Sequence, residues 1–166
     1  LALLIIVQGW RRLLGTISTF TIAHSITLAA ATLGLVNVPQ QPVEAVIALS
    51  IVFIAGECVH SQNGRDGITD RRPWVVAFIF GLLHGFGFAG ALSEAGLPQK
   101  DIPVALLSFN IGVEFGQMLF IMGVIILGSI IRRIPVVWPR WVMQIPPYGI
   151  GAVASYWTIQ RIVSFL

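Results

Sequence analysis

The sequence predicts an all-α membrane protein, a polytopic bundle of about six transmembrane helices with the first one incomplete. Three observations predict it. Of 166 residues, 56% are hydrophobic and 10% are charged, whereas soluble domains carry about 25% charged residues. Mean hydropathy is +0.87. The apolar residues fall into five long runs, each near the roughly 20 residues that cross a bilayer. The chain from 1 to 166 therefore reads as a single integral membrane domain, and lipid is its first partner.

Each element follows from the same pattern. Residues 1–7 (LALLIIV) are too short to span and read as the tail of a first helix that begins upstream. Residues 8–15 (QGWRRLLG) read as a loop, and 16–36 as a helix that stops at Asn37-Val-Pro39. Residues 42–60 form the next helix, with Pro42 suited to its first turn. The segment 61–73 is the longest polar loop. Residues 74–95 form a helix closed by Gly96 and Pro98, and 102–131 one long enough to tilt. The Pro- and Trp-rich segment 132–146 places Trp138 and Trp141 where an interface suits them. Residues 148–165 form the last helix.

Charge gives an orientation. Loops 8–15, 61–73 and 132–146 hold eight of the ten Lys and Arg residues, leaving only Lys100 and Arg161 elsewhere. By the positive-inside rule those three loops are expected in the cytoplasm and the C-terminus outside. The net charge of +3 is thus a matter of topology, and a nucleic-acid partner is excluded because the basic residues form no continuous patch. A single cysteine, Cys58, makes no internal disulfide and reads as a small packing residue.

Ionisable groups within membrane helices are costly and so mark function. Four stand out: His24, Glu57, His84 and Glu114. At about 1.5 Å per residue, His24 and Glu114 fall about 12 Å, His84 about 15 Å and Glu57 about 9 Å from the cytoplasmic side, which suggests one layer. Asn110, Glu114 and Gln117 follow i, i+4, i+7 along one helical stripe. Thr21, His24 and Ser25 share a side of their helix, and Ser50 shares a face with Glu57. These faces are expected to converge, with Asn110, Gln117, Ser25, Ser50 and Thr21 lining a pathway. Gly81-Leu-Leu-His84-Gly85-Phe-Gly87-Phe-Ala-Gly90 allows close helix approach. Its bland reading is tight packing around a hydrogen-bonded histidine. Two imidazoles with one or two carboxylates suit nickel, cobalt or zinc. The same set suits a proton relay, and spacing does not choose between them. His60 reads as an interfacial residue. Glu44, Glu94 and Asp101 read as solvated near the outer surface, where they also attract cations. The ten phenylalanines read as packing and lipid contact.

Three motifs, Phe20-Thr-Ile-Ala-His24-Ser25-Ile-Thr-Leu, Phe80-Gly-Leu-Leu-His84-Gly-Phe-Gly-Phe-Ala89 and Phe109-Asn110-Ile-Gly-Val-Glu114-Phe-Gly-Gln117, resemble the HupE/UreJ family, as does the stretch from Ile47-Ala-Leu-Ser50 to Glu57. The resemblance covers residues 1 to about 131, with a looser match in the last helix. It implies a bacterial inner-membrane permease associated with hydrogenase and urease maturation and with uptake of nickel or a similar divalent metal. It also implies that His24 and His84 bind the metal, with Glu114, Asn110 and Glu57 beside them, and that no cofactor is held tightly. The family carries a further histidine- and aspartate-bearing motif at the start of its first helix, upstream of Leu1. Two other readings stay open. One is an accessory subunit of a larger membrane complex with no transport of its own. The other is an intramembrane metal hydrolase, against which stands the lack of an H-E-x-x-H stretch or a serine elbow. The chain is read as a non-enzyme.

Overall fold

A computed structural model describes residues 6–7, 9–94, 101–133 and 139–165. Its helices are α1 (Trp10–Thr32), α2 (Gln40–Gln62), the short α3 (Ile68–Arg71), α4 (Pro73–Glu94), α5 (Ile102–Arg133) and α6 (Ile145–Val163), with a 3-10 turn over Arg140–Gln144 before α6. The all-α expectation holds. Among the described residues, four helices are long and apolar enough to cross a membrane: α1, α2, residues 73–90 of α4 and residues 102–131 of α5.

The element boundaries differ from expectation where loops turn out to be ordered. α1 starts at Trp10 and not at residue 16, so most of the expected loop 8–15 is helical. The arginines and leucines there are good helix formers, and Gly9 supplies the break with φ 93°. α1 ends four residues early, at Thr32. Gly34 takes φ 73°, its amide bonds the Ala31 carbonyl, and Leu35 bonds the Ala30 carbonyl, the usual left-handed stop at a helix C-terminus. The expected loop 61–73 contains α3. α6 begins at Ile145, with two prolines in its first turn, positions where a missing N–H costs nothing. The expected first-helix tail is described only at Ile6 and Val7, which are buried. The expected turn 96–101 is described only at Asp101.

The helices lie in the order α5, α1, α4, α2, α6, with α4 central. Glycine explains the closeness of α1 and α4. A Cβ at Gly81 would lie 2.5 Å from the Phe20 carbonyl oxygen and 2.9 Å from the Ala23 Cβ. One at Gly85 would meet Thr27 Oγ1 and the His24 carbonyl, and would lie 2.9 Å from the Leu28 amide nitrogen. The two backbones therefore touch over a parallel run, as small-xxx-small helix pairs do. The opposite side of α4 fits α2: Gly87 faces Ile47, Gly90 faces Gln40, and the Gln40 amide donates to the Gly87 carbonyl.

α6 runs antiparallel along the whole of α2. Gln62 Nε2 donates to the Met143 carbonyl at one end (2.9 Å), Gly151 lies against Ala55 in the middle, and Arg161 meets Glu44 at the other end. α6 thus traverses the same thickness as α2, although it is not among the four most apolar helices. α5 packs mainly on α1, with Leu106 and Phe109 near Leu28 of α1 and Ala89 and Phe88 of α4. No residue of its most apolar window is buried, as expected of a helix with lipid around it.

Candidate functional site

α1 and α4 bring the two deep histidines to one level, because Gly85 packs on the backbone of His24 itself. His24 is 2% exposed. Its ring is caged by three phenylalanines: Phe20 stacks at a centroid distance of 5.9 Å, Phe109 at 6.3 Å, and Phe88 meets it edge-on at 5.5 Å. Neither His24 ring nitrogen has a hydrogen-bond partner among the described residues. A buried polar atom without a partner costs about 1–3 kcal/mol. Native interiors rarely keep such an atom without a reason.

His84 is placed differently. Its Nδ1 donates to the Phe80 carbonyl one turn back, at 2.7 Å. A carbonyl only accepts, so Nδ1 carries the proton and the neutral ring keeps its Nε2 lone pair free for a ligand. Holding the distal nitrogen in this way is how proteins orient ligating imidazoles. His84 also lines a cavity of about 380 Å³ between α2, α4 and α6, together with Ile47, Ala48, Phe88 and Trp157. The rim of that cavity carries Glu44, Gln160 and Arg161. Phenylalanines contact both histidines. Phe20 touches both, its ring centroid lying 5.4 Å from that of His84, and Phe88 has His24 on one side and the cavity on the other.

Several of the remaining expected residues bond within their own helix or to a nearby loop. Glu57 is a correction to the expected layer. Its Oε2 accepts from the Thr69 amide at 2.8 Å, so its carboxylate caps α3 at the arginine-bearing end of the bundle. Asp70 assists by accepting from the Gly67 amide (3.1 Å) and from Ser61 Oγ (2.9 Å). Ser50 is buried and bonded to the Ile47 carbonyl, on an apolar groove between α2 and α4. Ser25 bonds the Thr21 carbonyl, and Thr21 Oγ1 is buried without a partner. Along α5, Asn110 donates to the Leu106 carbonyl, while Glu114 and Gln117 are half-buried. Among the described residues, no group of three or more His, Cys, Asp and Glu side chains stands close enough to hold a metal ion. Two features were not foreseen. One is the phenylalanine cage, signalled only by Phe20–His24 and His84–Phe88 at i, i+4. The other is the Glu44–Arg161 pair, whose members lie 117 positions apart in sequence and so gave no signal.

Comparison against known proteins places the chain in a family. No curated protein and no solved structure matches the chain. A family model described as HupE / UreJ protein matches residues 1–161, nearly the whole sequence, and the chain therefore belongs to the HupE/UreJ family of membrane proteins.

Proposed function

We propose that this protein is a permease that passes a divalent metal ion, nickel foremost, through the His84–His24 level of the bundle. The observation that carries the reading is the buried His24 ring with both nitrogens unpartnered among the described residues, sharing the Phe20 ring as a neighbour with His84. Neutral imidazole suits nickel, cobalt and zinc. A transit site also needs ligands that replace hydration water without holding the ion too tightly. Two histidines, with no group of three or more His, Cys, Asp and Glu side chains gathered among the described residues, meet that need better than a closed four-ligand cage would. The metal is cargo here, and the cavity lined by His84 is its way in, from the end opposite the arginine-bearing loops. Glu114, Asn110 and Gln117 on α5 are candidates for the far side of the path. Glu57 is assigned instead to holding the loop.

The test is nickel uptake by proteoliposomes containing the chain. His84→Ala is expected to lower the initial rate at least tenfold while the variant melts within a few degrees of the parent. A folded His84→Ala protein with parental uptake would remove the proposal.

A further inference from the structure

We propose that Glu44 and Arg161 form a displaceable ion-pair gate over the His84 cavity, in which Glu44 is the first protein ligand an arriving divalent cation meets and Arg161 is the tethered cation it must displace. The inference rests on the permease reading above and adds the step before His84.

Arg161 Nε lies 3.0 Å from Glu44 Oε2, with side chains 51% and 32% exposed. Glu44 comes from the first turns of α2 and Arg161 from the last turns of α6, so the pair joins the two helices at one end of the cavity lining, while His84 lines it from the middle of α4. Among the described residues Glu44 is the only carboxylate on that lining, and the rest of the wall is largely apolar: Ile47, Ala48, Ile51, Phe88 and Trp157. A lone carboxylate above low-dielectric walls focuses its field into the opening and collects cations of any kind. Arg161 cancels that field. Water-exposed pairs of this sort are weakly held, so the contact opens easily. A dehydrating divalent ion interacts with the carboxylate about twice as strongly as a monovalent one at equal distance. The guanidinium therefore yields to a divalent metal and holds against sodium or potassium. Gln160, next to Arg161 on the same rim, offers the freed guanidinium or the metal a neutral oxygen. A purely structural role, clamping the end of α6 to α2, predicts that substitutions change stability alone.

The experiment measures nickel binding by calorimetry on the chain in nanodiscs, and nickel uptake in proteoliposomes, for Arg161→Gln, Arg161→Lys, Glu44→Gln and His84→Ala. Arg161→Gln is expected to tighten apparent nickel affinity about two- to fivefold and to make uptake sensitive to competing potassium. Glu44→Gln is expected to weaken affinity by a similar factor, and Arg161→Lys to stay near the parent. Parental nickel dependence in both Arg161→Gln and Glu44→Gln would overturn the gate, as would a lowered melting temperature with no change in nickel dependence. Should Arg161→Gln not fold, Glu44→Gln and Arg161→Lys decide: parental nickel dependence in Glu44→Gln again overturns the gate. Loss of uptake in His84→Ala with parental behaviour at positions 44 and 161 would remove the gate alone. Retained uptake in folded His84→Ala would remove the permease reading and the gate with it.

Discussion

At the scale of single residues, the His24 ring stands out because both of its nitrogens are buried without a partner among the described residues. Two unpartnered ring nitrogens inside a phenylalanine cage disfavour folding by about 1–3 kcal/mol each, and an aliphatic residue of similar size would not carry that cost. His24→Leu is therefore expected to melt higher than the parent, by about 1 kcal/mol or more in stability, and to lose nickel uptake. A melting curve on the purified variant beside an uptake assay checks both halves. A destabilised His24→Leu would mean that the imidazole is bonded in the native protein. Glu57 gives the converse case. Glu57→Ala removes the acceptor of the Thr69 amide and is expected to cost about 1–3 kcal/mol, with the uptake of the remaining folded protein unchanged. His24 and His84 were legible in the sequence because a titratable residue in an apolar run is conspicuous whatever its surroundings. The bond from the Thr69 amide to Glu57 was illegible because the chain after α2 folds back onto it through α3, four residues with no readable periodicity. The cage around His24 was illegible because phenylalanine is equally suited to packing and to lipid.

Among the elements, α4 sets the site because its glycines let two neighbours approach at once. Gly85→Ala would force a methyl group into the backbone of α1 at His24 and Leu28, an overpacking expected to cost about 1–3 kcal/mol and to shift His24 relative to His84. Gly112→Ala on α5 meets nothing within 4 Å and is expected to be neutral or slightly stabilising, since alanine favours a helix by about 1 kcal/mol over glycine. Thermal melts of the two variants separate a glycine needed for contact from one that is not. The existence and order of the long helices followed directly from the apolar runs. Their ends did not, because arginines and leucines near the interface extend a helix as readily as they form a loop, and α1 accordingly begins six residues early.

For the whole molecule, antiparallel α2 and α6, parallel α1 and α4, and antiparallel α5 and α1 put the described arginine-bearing segments, with Arg11, Arg12, Arg65, Arg71, Arg72 and Arg133, at one end of the bundle. The loop pattern implied this, since each span reverses direction. The pairing of α1 with α4 and of α2 with α6 was not implied, because all the apolar faces look alike to a hydropathy count. Placing the arginine end in the cytoplasm predicts that Arg65→Cys, in a Cys58→Ala background, reacts with an impermeant maleimide in inside-out vesicles and not in intact cells. The account as a whole stands on nickel meeting imidazole inside this bundle, and X-ray absorption at the nickel edge of the metal-loaded chain in nanodiscs reads that contact directly. It predicts imidazole back-scattering from one or two histidines that disappears in the His24→Leu, His84→Ala double variant. An all-oxygen nickel shell, the same in parent and double variant, would contradict it.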